Sequence, residues 1–309
     1  MRYADLHCDT LSLTYDNGTS VLEGCSHVTL EKAASFEHYI QVAAIWSDNR
    51  FSDDACWERF FRIRDHFEKE IQSTNKIALC RHPDEIREAE TKKETVFIYA
   101  VEDARLLAGD ETRLDVLFEA GVRFLTLVWD GDSCIGGAKS SPMGLTPFGR
   151  RVTERAFALG IVPDLSHASR ATVEDVLLIA EQLGKPVVCT HSDAYRICQE
   201  ERNISDSVYQ RIAALGGVTG VCLFPPHLNG TETASIADIL SHIRHYLTID
   251  PGAVALGCDF DGIELTPREI PDIAALPLLY ETIKKEFSAD TADAVFYGNA
   301  YRFLMNHLL

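Results

Sequence analysis

"LTPFGRRVTERAFALGIVPDLSHASRATVEDVLLIAEQLGKPVVCTH", residues 145–191, decides how the rest of the chain is read. Two amphipathic stretches alternate in it with two short apolar runs. The first stretch opens with Thr146 as a cap and Pro147 at the first helical position, and closes on Gly160. A threonine hydroxyl satisfies an orphan N–H, proline forfeits no bond at that position, and glycine takes up the left-handed stop. The second stretch ends at Gly184, just before Pro186. The apolar runs at 161–167 and 186–191 read as strands, and each ends on a histidine, His167 and His191. Strands joined through helices pair in parallel by right-handed crossovers.

Outward from this unit the same alternation continues. Short apolar, β-branched runs at 4–9, 40–46, 95–101, 123–129, 217–224 and 253–259 bring the expected strands to eight. Another helix, "SDSVYQRIAALGG", ends at Gly216. Eight strand–helix units predict an α/β fold of the closed (β/α)8 TIM-barrel type; an open doubly wound sheet is the other arrangement of the same elements. Extra helical sequence at 51–75 lengthens the connection between the second and third strands. With no repeat, low-complexity linker or Gly/Ser/Pro-rich hinge, residues 1–309 are expected to form one barrel catalytic domain. Its C-terminal helical extension starts at Ser288 and is expected to pack on the outside of the barrel.

The bulk composition narrows the partners. Of 309 residues, 29 are Lys or Arg and 47 are Asp or Glu, a net charge of -18, and no basic cluster forms a phosphate-binding stripe. That argues against nucleic acid and anionic membrane surfaces. No basic leader with an apolar stretch opens the sequence, and no segment has the apolar length of a membrane span, so a cytoplasmic protein without a membrane partner is expected. Nine cysteines, scattered through apolar strands as Cys8, Cys189, Cys222 and Cys258 are, suit buried thiols in a reducing compartment. A homodimer is an allowed assembly.

The chemistry concentrates at the carboxyl ends of strands, the face on which barrel active sites are built. His7 and Asp9 in "YADLHCDTLS" end the first strand, two apart and so on one side of it. Glu102 ends the third strand, His167 the fifth, His191 the sixth and Asp259 the eighth. One strand-end histidine is unremarkable; six such groups around one mouth are not. Burying them together without cations costs several kcal/mol per uncompensated charge. Five N/O ligands exceed what one catalytic zinc takes, so two metals sharing a carboxylate fit better, with zinc favoured and Mn, Co or Fe as substitutes. Two ions about 3.5–4 Å apart hold and activate a water and polarise a carbonyl, which implies hydrolysis of an amide or related bond. Asp259, not needed to complete the metal site, is the candidate general base and acid. Asp261 is a neighbouring alternative.

Over nearly its whole length the chain resembles the membrane (renal) dipeptidases and their bacterial relatives, zinc enzymes of the amidohydrolase superfamily. The carriers are "DLHCDT", "VED", "GLTPFGRRV" with "DLSHAS", "THSDAYRICQEERNISD" and "GCDFDG", in that order. The resemblance implies that His7, Asp9 and Glu102 serve one zinc, and that Glu102, His167 and His191 serve the other with Glu102 bridging. It also implies that Asp259 is the acid/base, that Arg202 clamps the carboxylate of a dipeptide substrate, and that a metal-bridged hydroxide attacks the peptide bond. A D-residue at the second position of the substrate is part of that expectation. Where the animal enzymes have a histidine after the fourth strand, this chain has Trp129, followed by Asp130; Asp103 and Ala104 follow Glu102 where those enzymes have glycines. These departures bear on substrate preference. An acylamino-acid hydrolase, lactonase or deaminase would use the same metal site without needing Arg202, and a non-catalytic binding protein would not need Asp259. Among weaker signals, His227 in "FPPHLNG" is expected near the mouth, and His242 and His245 on a solvated helix face.

Overall fold

The computed structural model describes residues 1–308. Its sheet runs β1 (Arg2–Cys8), β2 (His38–Trp46), β3 (Ile77–Leu79), β4 (Thr95–Glu102), β5 (Val122–Thr126), β6 (Val162–Asp164), β7 (Thr219–Val221) and β8 (Val254–Leu256). The strands pair in the order β6-β5-β4-β2-β1-β8-β7, every pair parallel. Between β6 and β7 the ring is completed by residues 188 and 189. Leu165 N–H donates to Val188 O at 2.8 Å, and Cys189 N–H donates to Val218 O at 3.1 Å. The result is the expected (β/α)8 barrel.

Two details differ from expectation. The sixth strand, 186–191, is held by the isolated bridges Asp164–Val188 and Cys189–Thr219 instead of a continuous ladder. And β3, unforeseen, pairs with the start of β4 through Ile77–Thr95 and Leu79–Phe97. It follows the long helix Asp53–Ile71, whose Ser52 cap accepts from Ala55 N–H, and it leads into a further helix, Pro83–Lys92.

Strand alternation sorts side chains into two apolar layers. Along β4, Phe97, Tyr99 and Val101 face the surrounding helices, while Val96, Ile98 and Ala100 join Ala4, Leu6, Val42, Phe124, Val188 and Ala255 in the barrel interior. Tyr297, Ala300, Phe303, Leu304 and Leu308 belong to this interior cluster too. The C-terminal extension therefore closes the floor of the barrel, correcting its expected place on the outside. Its sequence runs Ala289–Asp293, a π-helical turn Ala294–Gly298, then Asn299–His307, with Ser288 as the cap. Burial of large apolar side chains on that face, each contributing about 1.5–3 kcal/mol, explains the docking. No described helix is long and apolar enough to cross a membrane.

Candidate active site

Each candidate side chain is delivered by a local feature of its strand. In β1 the register slips between Asp5 and Cys8, an extra residue that turns His7 toward the barrel axis. The His7 N–H released from the ladder donates to Asp5 Oδ1 at 2.9 Å. On β4 the inward alternation that places Val96, Ile98 and Ala100 in the core delivers Glu102 at the mouth. His167 and Asp259 have positive φ, 68° and 61°, a conformation that non-glycine residues adopt only when their surroundings enforce it.

The carboxylate of Glu102 stands at the centre. Its Oε2 lies 3.4 Å from His7 Nε2, and its Oε1 lies 2.8 Å from His167 Nε2 and 3.7 Å from His191 Nε2. Asp9 Oδ2 is 3.4 Å from His7 Nε2, and Asp259 Oδ1 is 3.8 Å from it. Ligand atoms of His7, Asp9 and Glu102 lie within 4.8 Å of one another, as do those of Glu102, His167 and His191. The two expected ligand sets thus share one carboxylate in space.

Burial and like charge set the electrostatics. Burial and the Asp9 carboxylate push Glu102 up to about 8. Burial and Asp9 likewise push Asp259 up to about 7, against the pull of His7. Burial alone would lower His7, but Glu102 and Asp9 overrule it and hold the imidazole well above its usual range. His167 and His191 lie well below theirs, through burial and the positive charges of Arg202 and His7. His7 Nε2 and Asp9 Oδ1 are buried without a hydrogen-bond partner. A centre with crowded carboxylates, imidazole nitrogens and orphaned acceptors fits divalent cations, which supply the missing charge and take up the free lone pairs.

Asp259 and Asp261 are separated by their partners. Asp261 accepts from Thr10 Oγ1 at 2.6 Å and from the N–H groups of His27 and Val28 at 2.6 and 3.2 Å, so both its oxygens are engaged in holding loops. Asp259 Oδ2 has only the Cys222 thiol, at 3.8 Å. Gly262 lets Asp9 and Asp259 approach each other: a Cβ there would lie 2.2 Å from Asp9 Oδ2 and 2.6 Å from Asp259 Oδ1.

Arg202 is buried, yet its guanidinium makes only long bonds to neutral acceptors, 3.3 Å to Ser192 Oγ and 3.4 Å to His191 O. Among the described residues no carboxylate pairs with it. Beside it lies a cluster not read from the sequence, Asp193, Cys222 and His227. His227 is driven down to about 2 by burial and by Arg202 and Lys139, and its Nδ1 is buried without a partner. Trp129 packs edge-on against Trp46 at 4.9 Å and lies 6.4 Å from His167, on the wall of the mouth. Asp103 is not at the centre; its carboxylate caps Arg105 N–H at 3.1 Å and pairs with the Arg105 guanidinium at 3.0 Å. Nor is His242 on a solvated face: it is buried, accepting from Ala194 N–H at 3.0 Å with Nε2 2.8 Å from Leu228 O. His245 pairs with Asp206 at 2.7 Å.

Comparison with known proteins places the chain by lineage and fold. The model of the membrane dipeptidase family (peptidase family M19) matches residues 1–307. Among curated proteins, the dipeptidase aclJ of Aspergillus oryzae is 30% identical over 215 residues, 67% of this chain and 50% of its own length. The chain thus spans about half of that relative. Two solved structures cover 100% of this chain and 99% of their own, each at 21% identity: the dipeptidase AC, a metallopeptidase, with a TM-score of 0.92, and a metallopeptidase from Rhodobacter sphaeroides liganded with a phosphinate mimic of the dipeptide L-Ala-D-Ala, with a TM-score of 0.91. At that identity they establish the fold, while the match along the whole sequence establishes the lineage: the chain belongs to the membrane dipeptidase family, peptidase family M19.

Proposed function

We propose that the chain is a dinuclear zinc dipeptidase that hydrolyses the peptide bond of small dipeptides, including those with a D-residue at the second position. The observation that carries this reading is Glu102, whose two oxygens face different histidine sets, Oε2 toward His7 and Oε1 toward His167 and His191. His7, Asp9 and Glu102 would hold one ion, and Glu102, His167 and His191 the other. Bound zinc lowers the pKa of water toward neutrality and polarises a carbonyl oxygen. Asp259, at the edge of the centre with a nearly unengaged carboxylate, takes the proton of the attacking water and returns it to the leaving amine. Arg202 meets the free carboxylate of the substrate with two parallel N–H donors, the pairing its buried and unpaired guanidinium lacks. Trp129 forms a side wall of the pocket. Support for a D-residue comes from the related metallopeptidase that binds a mimic of L-Ala-D-Ala. Cysteines free of disulfides, most of them buried, accord with a cytoplasmic location.

Elemental analysis after zinc loading is expected to give two ions per chain; one or fewer would overturn the dinuclear centre. A dipeptide with a free C-terminus is expected to outperform its C-terminal amide, and Arg202→Ala to erase most of that difference. A charge-assisted hydrogen bond is worth about 1.5–3 kcal/mol, so kcat/KM for the free acid falls by roughly one to two orders of magnitude while the amide is little affected. Equal hydrolysis of acid and amide by the unaltered protein would remove the clamp and favour another amidohydrolase class.

A further inference from the structure

Beneath the histidines, in the interior layer of the barrel, lies a polar group that the reading above does not use. Asp164, fully buried at the end of β6, accepts on Oδ2 from Thr126 Oγ1 and Thr190 Oγ1, both at 2.6 Å. On Oδ1 it accepts from Ser166 N–H at 3.0 Å, Ser166 Oγ at 2.9 Å and Thr190 N–H at 2.9 Å. A carboxylate only accepts, so the Thr190 hydroxyl proton points to Asp164. That leaves the lone pairs of Thr190 Oγ1 for other donors. His191 Nδ1 lies 2.8 Å away and His7 Nδ1 3.4 Å away. The imidazoles of His7 and His191, 3.8 Å between centroids and tilted by 32°, reach the same hydroxyl.

The backbone is shaped to put Thr190 there. A Cβ on Gly220 would lie 2.0 Å from Thr190 O, and one on Gly257 1.7 Å from it, so only glycine at both positions lets this segment cross the barrel. Such close approach is what glycine supplies.

We propose that Thr190, oriented by Asp164, is a positioning residue for both halves of the metal centre, holding His7 and His191 with the proton on Nδ1 so that Nε2 presents its lone pair to the ions. His7 and His191 belong to different ligand sets, so one hydroxyl sets the tautomer in each. His167, whose Nε2 lies 2.8 Å from both Glu102 Oε1 and His191 Nε2, is the natural donor among the Nε2 atoms of the ion-free centre, consistent with an unprotonated Nε2 on His191. Outer partners of this kind typically change metal affinity about 10- to 100-fold.

This inference rests on the metal-centre reading, and its test separates the two. Histidine tautomers are read by nitrogen-15 NMR in the unaltered protein, ion-free for His191 and zinc-loaded for both residues. Zinc affinity is read by competition with a chromophoric chelator in Thr190→Val, Thr190→Ser and Asp164→Asn. The expected result is protonated Nδ1 on both histidines, a 10- to 100-fold loss of zinc affinity in Thr190→Val, restoration in Thr190→Ser, and weakening in Asp164→Asn, because a carboxamide can donate to Thr190 and reverse its hydroxyl. An Nε2-protonated His191 in the unaltered ion-free protein overturns the proposal without any variant, as does unchanged zinc affinity in a folded Thr190→Val. A protein that binds no zinc at all overturns the metal centre, while the His191 tautomer still decides the role of Thr190.

Discussion

The two ends of the barrel interior are built on opposite terms. At the floor, Phe303, Leu304 and Tyr297 meet Leu6, Val42 and Phe124 in an apolar layer. At the mouth, carboxylates and imidazoles crowd together, with His7 Nε2 and Asp9 Oδ1 left unpartnered. The floor is complementary to itself; the mouth is complementary to something absent from the polypeptide. Buried polar atoms without partners cost about 1–3 kcal/mol each, so these two, set among crowded carboxylates and imidazoles, mark a place where the fold gives up stability for ligands.

The largest expected effect lies at the mouth. Asp259→Asn should lower kcat by about 10²- to 10⁴-fold while zinc content stays unchanged, since it removes the proposed proton transfer and leaves both proposed ligand sets, His7, Asp9 and Glu102 and Glu102, His167 and His191, complete. Asp261→Asn is the control that sharpens the contrast: its carboxylate is already engaged by Thr10, His27 and Val28, so the variant should lose thermal stability more than turnover. Steady-state kinetics, metal analysis and a melting curve for both variants check this, and a reversed order would make Asp261 the base.

The floor should respond in the opposite way. Phe303, 2% exposed and 6.2 Å from the Phe124 ring, fills the barrel from below. Phe303→Ala should cost about 3–5 kcal/mol of stability in denaturant unfolding, with kcat per folded molecule unchanged. A large drop in kcat of the folded variant would show that the floor and the mouth are coupled.

How much of this was legible in the sequence follows from the range of each interaction. Strand-end histidines and carboxylates could be read because alternation and cap signals are local, and the family motifs carry the same residues. The bulge that turns His7 inward could not, since it depends on the register of β1 against β2. The three-residue β3 has no periodicity to detect, and the segment at 186–191 is pinned by neighbours instead of a ladder of its own. The C-terminal extension shows an apolar face, but nothing local tells whether that face covers the side or the floor of a barrel. His242 reads as a solvated residue because its partners, Ala194 and Leu228, lie on other elements. Asp164 and Thr190 did carry a signal: polar side chains inside apolar strand runs, each three or one residue before a histidine.

The smallest expected effect separates the two ends by titration. In ion-free protein, folded Glu102 keeps its proton up to about 8, whereas the unfolded chain releases it near 4.5. Asp259 does the same up to about 7 against 3.8, and His7 stays protonated above its usual 6.5. For all three the folded state binds the extra proton, so their contribution to stability is complete at low pH and is lost as pH rises through the folded values. His167 and His191 act in the opposite sense, being neutral when folded and protonated when unfolded, but that contribution is over once the unfolded imidazoles have lost their protons, by about pH 7. From about pH 7 to about pH 8 the slope therefore has one sign: the melting temperature of chelator-treated protein should fall. Zinc loading replaces those protons with cations and should flatten the slope, while protons are released on binding. Phe303→Ala should lower the curve without changing its slope between about pH 7 and pH 8, because phenylalanine carries no proton and its ring neighbour His307, lowered by burial, is already neutral there. A flat profile for ion-free protein, or the same slope with and without zinc, would mean that the crowded carboxylates at the mouth are relieved by the polypeptide itself and that the contrast between the two ends is not electrostatic.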